Sequence, residues 1–78
     1  MKKIFIYTEH SKESLFERKI SKEFVENTII NPDKIFESIK GRKIAQKEFN
    51  NKLLRVIYKE TDKIYIVITV YYSKLERY

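Results

Sequence analysis

The sequence contains no cysteine and no tryptophan, and it has a single glycine, Gly41, and a single proline, Pro32. The absence of cysteine excludes a small secreted scaffold held by disulfides and agrees with a reducing compartment. Glycine and proline are too scarce for a flexible linker, and the chain contains no repeat and no low-complexity segment. Its 78 residues suffice for one modest core, so we predict a single domain over residues 1–78.

Metal-ligating residues and long apolar runs are scarce as well. One histidine, two aspartates and no cysteine form no recognisable ligand cluster, so we predict no metal and no cofactor. The apolar run at the N-terminus stops after Tyr7, and the longest run, Ile64 to Tyr72, is interrupted by Thr69. Both are too short for a signal-peptide core or a membrane span, and we therefore predict a cytoplasmic protein with no membrane contact.

Positive charge is abundant and unevenly distributed. The net charge is +6; residues 1–30 carry six basic and five acidic side chains, whereas residues 31–78 carry eleven and six. This excess in the C-terminal half predicts a basic face and a polyanionic partner, RNA or DNA. An AT-rich genome or a lysine-rich thermophile surface produces the same composition, so the charge alone leaves the partner open.

The apolar pattern predicts an α+β fold in which strand, helix and helix precede four further strands. The first strand covers residues 3–7, a helix capped by Thr8 or Ser11 extends to about Lys19, and a second helix begins at Ser21 and ends at Asn31-Pro32-Asp33. The later strands are predicted at Ile35–Ile39, Lys43–Phe49, Leu53–Lys59 and Lys63–Tyr72. Short turns between them favour a four-stranded antiparallel meander with both helices on one face.

Alternation along the last two strands predicts where Arg55 lies. One row of the last strand is aliphatic and is expected in the core: Ile64, Ile66, Ile68, Val70 and Tyr72. Because an arginine in that row would be costly, we place Arg55 on the opposite face with Thr69 and Tyr71, which requires an odd-length loop at Glu60-Thr61-Asp62. Lys47 lies on the same face only if the Asn50-Asn51 turn also contains an odd number of residues, since a two-residue turn places Lys47 on the other face.

Several motifs, in this order and spacing, carry a resemblance to a known family. They are Tyr7-Thr8-x-His10, Glu17-Arg18-x-Ile20-Ser21, Asn31-Pro32-Asp33, Lys47, Leu54-Arg55-Val56-x-Tyr58, Val67-Ile68-Thr69-Val70-Tyr71, and Lys74, Arg77 and Tyr78. Over nearly the whole chain the sequence resembles a family of small toxin-like domains of unassigned function in the RelE/ParE superfamily, related to the BrnT toxins. Where that family usually has a glycine, this chain has Lys19.

The resemblance implies a toxin that is paired with a small antitoxin. In the wider superfamily metal-independent RNA cleavage is common, but ParE-type members act by binding a topoisomerase, so the fold alone does not decide the activity. We therefore expect an RNA substrate and a small acidic antitoxin as partners. The protein itself is expected to form a homodimer or a toxin–antitoxin hetero-oligomer. The alternative is a non-catalytic toxin or a nucleic-acid-binding module that blocks a protein or an RNA by binding.

RNA supplies its own nucleophile, because the 2′-hydroxyl attacks the adjacent phosphate once a protein group takes its proton. His10 is the first candidate for that proton transfer because histidine is the residue type best suited to general acid–base catalysis at physiological pH, although an ordinary surface histidine is the alternative. Arg55 is the strongest candidate because its planar guanidinium matches a phosphate, and an ion pair with Glu37 or Glu48 is the alternative. The other catalytic candidates are Lys47, Thr69 and Tyr71.

Further basic and aromatic residues are candidates for contacts with the nucleic acid. A cation near the C-terminus can bind phosphate or simply be solvated, and a tyrosine can stack on a base or pack against the fold. For Arg18 an ion pair with the neighbouring helix is the alternative. These candidates are Arg18, Arg42, Lys43, Lys74, Arg77 and Tyr78.

Overall fold

The computed structural model describes residues 3–74, which fold as an α+β domain, as predicted. The elements are β1 (Ile4–Tyr7), α1 (Glu9–Arg18), α2 (Lys22–Ile30), β2 (Lys34–Glu37), a short 3-10 helix (Ile39–Gly41), β3 (Lys43–Phe49), β4 (Lys52–Glu60) and β5 (Ile64–Lys74). The second strand stops at Glu37 instead of the predicted Ile39. The chain turns beyond it, with Lys40 at φ 59° and Gly41 at φ 72°.

The five strands form one mixed sheet in the order β1-β5-β4-β3-β2. The strands β2 to β5 are the predicted antiparallel meander. The prediction of a purely antiparallel four-stranded sheet is wrong, because β1 joins the edge of β5 in parallel, from Ile4 opposite Ile64 to Tyr7 opposite Val67. Two parallel strands must be joined by a long crossover connection, so the partner of β1 is distant in sequence. Nothing in the short β1 segment specifies which strand it pairs with.

Side-chain caps define the start of both helices. The Thr8 hydroxyl accepts a hydrogen bond from the Ser11 backbone N–H at 3.1 Å, so Thr8 is the cap of α1 and Ser11 belongs to its first turn. Ser21 caps α2 in the same way, through the Phe24 backbone N–H at 3.1 Å. Lys19 ends α1 in the left-handed conformation, at φ 55° and ψ 48°. That conformation favours glycine, so a lysine is strained there.

Both helices pack on one face of the sheet and form the core there. The buried apolar residues are Leu15, Ile20, Val25 and Ile29 from the helical half, and Ala45, Leu54, Val56, Tyr58, Val67 and Val70 from the strands. Within residues 3–74 no element covers the opposite face of the sheet, which we call the open face.

An irregularity between β4 and β5 determines which side chains reach the open face. Ile57 lies opposite Thr69, whereas the next residue, Tyr58, lies opposite Val67, so that Ile68 is an extra, unpaired residue of a β-bulge. The bulge moves Val67 into the core and leaves Ile64 and Ile66 on the open face. The predicted core row is therefore wrong for the first half of β5, although Val70 is buried as expected.

The same bulge places Arg55 on the open face, opposite Tyr71, as predicted. The reason differs from the predicted one. The prediction required a turn with an odd number of residues, but Glu60 pairs with Tyr65, so the turn encloses an even number. The extra residue that brings Arg55 opposite Tyr71 is Ile68, within the strand.

A two-residue turn joins β3 to β4. Asn50 and Asn51 both have positive φ, 51° and 63°, and Phe49 pairs directly with Lys52, as in a type I′ hairpin. This register places Lys47 opposite Leu54, on the helix-covered face. Its Nζ donates a hydrogen bond to the Asn31 carbonyl oxygen at 2.8 Å, which ties β3 to the end of α2.

Candidate functional site

Arg55 lies in the middle of β4, half-buried among the side chains of the open face. Its Nε donates a hydrogen bond to Gln46 Oε1 at 2.8 Å, and its guanidinium carbon lies 5.9 Å from the centre of the Phe36 ring. Within residues 3–74 Arg55 makes no ion pair, so the predicted alternative partners, Glu37 and Glu48, do not neutralise it. The remaining guanidinium donors have no side-chain partner in this part of the chain, so they can bind a ligand.

A pocket of about 470 Å³ opens beside Arg55, between the ends of four strands. It combines positive and negative side chains with a few neutral ones. Its lining residues are Asp33, Lys34, Gln46, Glu48, Leu53, Arg55, Ser73 and Lys74. Three cations can bind an anion at this place, and two carboxylates can accept a proton.

The register of the meander builds the floor of this pocket. Gln46 lies opposite Arg55, and Glu48 lies opposite Leu53. Asp33 directly precedes β2, and its backbone N–H donates to the Gln46 carbonyl oxygen at 2.8 Å. Its Oδ2 accepts from the Glu48 backbone N–H at 2.9 Å, so the start of β2 is held against the end of β3. The strands thus fix the positions of the groups that face the pocket.

Gln46 is the side chain that orients Arg55. It is only 8% exposed, and its amide oxygen is occupied by the Arg55 Nε. Gln46 was not among the site residues predicted from the sequence, and Glu48 was predicted only as an ion-pair partner. The other pocket residues that were not predicted are Asp33, Lys34, Leu53 and Ser73. The signal that identifies Gln46 and Glu48 is the Asn50-Asn51 turn, because a two-residue turn puts alternate residues of β3 on the face of Arg55.

Of the predicted catalytic residues, Thr69 and Tyr71 share the open face with Arg55. Tyr71 lies directly opposite Arg55, and Thr69 lies two residues before Tyr71, opposite Ile57. Neither residue lines the pocket. Lys47 lies on the other face of the sheet and is not brought to Arg55.

His10 lies in the first turn of α1, is exposed, and does not line the pocket. The start of α1 is tied to the bulge, because the Thr8 hydroxyl donates a hydrogen bond to the Ile68 carbonyl oxygen at 3.1 Å. His10 therefore lies on the segment anchored just before Thr69, and no contact joins it to Arg55 within the described part of the chain.

The predicted nucleic-acid contacts are distributed over several surfaces. Lys74 lines the pocket, and Arg18 is exposed in the last turn of α1. Arg42 precedes β3 and is half-buried, and its Nε is buried without a hydrogen-bond partner among the described residues. Lys43 lies on the helix-covered side, since it pairs with Tyr58 in the ladder and with Glu60 in a salt bridge of 3.3 Å. Arg77 and Tyr78 lie outside the described residues.

The groups with shifted pKa values lie away from the pocket. A hydrogen bond from Lys3, followed by one from Lys43, lowers the pKa of the Glu60 carboxyl below its ordinary value. Burial, together with the hydrogen bond that the Tyr7 hydroxyl donates to Glu26 Oε2 at 2.8 Å, raises the pKa of Tyr7. Burial also raises the pKa of Tyr58. These contacts hold the ends of the strands and the helices together.

Two further properties concern residues 3–74 as a whole. They contain no group of three or more histidine, cysteine, aspartate or glutamate side chains placed to hold a metal ion. None of the helices in this part of the chain has the length and apolarity needed to cross a membrane.

The sequence matches a family described as a domain of unknown function, DUF4258, over residues 7–72. This match covers most of the chain, so the protein belongs to that family. No curated protein and no solved structure matches the sequence.

Proposed function

We propose that this DUF4258 protein is the toxin of a toxin–antitoxin pair and cleaves RNA without a metal ion. The observation that carries the proposal is the pocket beside Arg55, where a guanidinium without an ion pair in residues 3–74 faces the same cavity as the Glu48 carboxylate. Attack by a 2′-hydroxyl requires a group that accepts its proton and cationic donors that stabilise the charge on the phosphate. The sequence resemblance to the RelE/ParE superfamily supports the same activity.

In the proposed reaction Glu48 accepts the proton of the 2′-hydroxyl, whose oxygen then forms a bond to the adjacent phosphorus. Arg55 donates hydrogen bonds to the phosphate oxygens and stabilises the charge of the pentacoordinate state. Lys74 or Lys34 gives a proton to the 5′-oxygen as its bond to phosphorus breaks. The products are a 2′,3′-cyclic phosphate and a free 5′-hydroxyl. Glu48 replaces His10 as the first choice of base, because it lines the pocket and His10 does not.

The distribution of charge supports a nucleic-acid ligand at the sheet. Residues 9–30, which include both helices, carry four basic and five acidic side chains, whereas residues 31–74 carry ten basic and five acidic ones. The excess of cations lies in the segment that forms β2 to β5, and such an excess attracts a polyanion and releases its counterions on binding, which makes the affinity dependent on salt. The helices do not add to this attraction.

The apolar part of the open face supports the proposed antitoxin. Ile4 pairs with Ile64 and Ile6 pairs with Ile66, so four isoleucines stand together on β1 and β5. Ile4 is 64% exposed and Ile6 is 45% exposed. An exposed apolar patch on a strongly basic chain is suited to an acidic polypeptide with apolar side chains. A second copy of the chain fits less well, because each copy carries a charge of +6.

The same isoleucine patch favours the second candidate function, a non-catalytic toxin that blocks a target protein. In that case the pocket would have no catalytic part, and purified protein would leave RNA intact. A cleavage assay therefore separates the two functions directly.

The experiment is incubation of purified protein with mixed RNA, with and without EDTA, followed by analysis of the product ends. We expect cleavage in EDTA and products that carry a 2′,3′-cyclic phosphate, because the 2′-hydroxyl is the nucleophile. A substrate with hydrogen in place of the 2′-hydroxyl at the cut site should remain whole. Activity that disappears in EDTA and returns with magnesium would contradict the mechanism.

Two matched variants identify the base. Glu48→Gln keeps the size of the side chain but cannot take a proton, so we expect its cleavage rate to fall by about 10²–10⁴-fold. His10→Gln should retain the wild-type rate. If His10→Gln is inactive and Glu48→Gln is active, the base is His10 and the mechanism through Glu48 is wrong.

A further inference from the structure

Phe36 is an exposed aromatic residue next to Arg55. It lies on the edge strand β2, opposite Ile44, and faces the same side of the sheet as Gln46 and Arg55. It is 40% exposed, whereas Tyr58, an aromatic residue of the core, is 2% exposed. Single exposed apolar side chains are common on protein surfaces, so exposure alone does not assign the ring a role.

The position of the ring relative to the guanidinium indicates a role. The guanidinium carbon of Arg55 lies over the Phe36 ring, 5.9 Å from its centre, in a cation–π contact that keeps the two groups next to each other. A nucleotide whose phosphate binds the free donors of Arg55 therefore has its own base, or that of its neighbour, beside Phe36. Aromatic rings bind bases of every sequence by stacking, because each base has a π face.

We infer that Phe36 is a stacking platform for an unpaired RNA base next to the phosphate bound by Arg55. The inference rests on the proposed function in taking RNA as the ligand of the pocket. The ligand class is single-stranded RNA, since a base in a duplex is already stacked on both faces and cannot lie on a protein ring. Lys34, also on β2 and lining the pocket, is placed to contact the backbone of the same strand.

The test is a binding measurement that does not depend on cleavage. The probe is a short single-stranded 2′-O-methyl RNA with a fluorescent label, which cannot be cut through its 2′-oxygen. Loss of one stacked base should raise the Kd of Phe36→Ala by about 5- to 150-fold. Phe36→Trp should bind at least as well as the wild type, and Phe36→Leu should bind as poorly as Phe36→Ala.

Phe49 provides a matched control. It is 45% exposed, similar to Phe36, but it packs against Phe24 on the helix-covered side, with ring centres 4.5 Å apart. Phe49→Ala should therefore bind the probe as the wild type does. Equal Kd values for Phe36→Ala and Phe49→Ala would overturn the inference, once circular dichroism shows that both variants are folded.

A second measurement excludes a merely structural role of the ring. Abasic sites are introduced one at a time along the probe, and one of them should weaken binding to the wild type but not to Phe36→Ala. A duplex probe should bind both proteins equally. If every abasic site weakens both proteins to the same extent, Phe36 does not stack on a base.

The outcomes for the two proposals are distinguishable. Protein that binds the probe through Phe36 but leaves native RNA whole refutes the nuclease and supports the stacking platform. Protein that cuts native RNA while Phe36→Ala binds like the wild type supports the nuclease and refutes the platform. Failure of the wild type to bind the single-stranded probe refutes the platform, while the nuclease is still judged by cleavage of native RNA.

Discussion

Replacement of Arg55 by alanine tests the fold and the mechanism together. The structure gives Arg55 one side-chain hydrogen bond, to Gln46, and no ion pair within residues 3–74. Arg55→Ala therefore leaves the Gln46 amide without its partner, which costs about 1–3 kcal/mol for a buried polar group. For a domain of this size, each kcal/mol lowers Tm by about 4–8 °C, so the variant should be weakened but folded.

The effect on cleavage should be much larger than the effect on stability. Removal of one preorganised donor to the transition state lowers the rate by about 10²–10³-fold. Arg55→Lys should restore little of this rate, because a point charge does not reproduce the planar pair of donors. The assay combines a thermal melt with single-turnover RNA cleavage for the wild type, Arg55→Ala and Arg55→Lys.

A double variant separates stability from activity. Replacing both Arg55 and Gln46 by leucine removes the unpaired amide, and substitution of both partners by apolar groups can be nearly neutral. The double variant should therefore recover stability relative to Arg55→Ala and remain inactive. An Arg55→Ala protein that is unfolded, as loss of a buried ion pair of about 3–5 kcal/mol would cause, refutes the structural argument. One that cuts at the wild-type rate refutes the proposed site.

Two further predictions concern stability. Lys19→Gly should raise the free energy of unfolding by about 0.5–1 kcal/mol, because a non-glycine residue at this left-handed position is strained, whereas Lys19→Ala should bring no gain; chemical denaturation measures both. Glu60→Gln should lower Tm at neutral pH. Because Lys3 and Lys43 depress the folded-state pKa of Glu60, its contribution is present above the unfolded pKa and is lost as the pH falls through the folded one. The wild-type and Glu60→Gln melting temperatures should converge in acid, and a difference that persists there contradicts this account.

Local features of the sequence predicted the elements well. Thr8 and Ser21 cap the helices because a short hydroxyl side chain satisfies a free backbone N–H within three residues, which a sequence shows directly. The face of Arg55 was predictable too, since the cost of burying a charge excludes the core whatever the details of the strand. The first inference depends only on residues that are neighbours in sequence, and the second depends on the large free-energy cost of burying a charge.

The bulge at Ile68 could not be predicted from alternation. Residues 64–68 are all apolar, so both faces of this part of β5 are hydrophobic, and a slip by one residue changes little in the pattern. What distinguishes the faces is tertiary contact: Val67 packs into the core beneath the helices, and Ile64 and Ile66 pair with β1 on the open face. The parallel pairing with β1 is equally non-local.

The turn at Asn50-Asn51 determines the chemistry of the pocket more than any other feature. Asparagine tolerates positive φ, and a two-residue type I′ turn suits the twist of a hairpin. These properties favour the two-residue turn at Asn50-Asn51 over one with an odd number of residues. It brings Gln46 and Glu48 to the face of Arg55 and takes Lys47 away. Arg55 thus has an amide that orients it and a carboxylate in the same pocket, rather than a second cation that would repel it. A pocket that contains its own carboxylate does not need a histidine for proton transfer, and this is why the proposed mechanism assigns the base to Glu48 and leaves His10 outside the site.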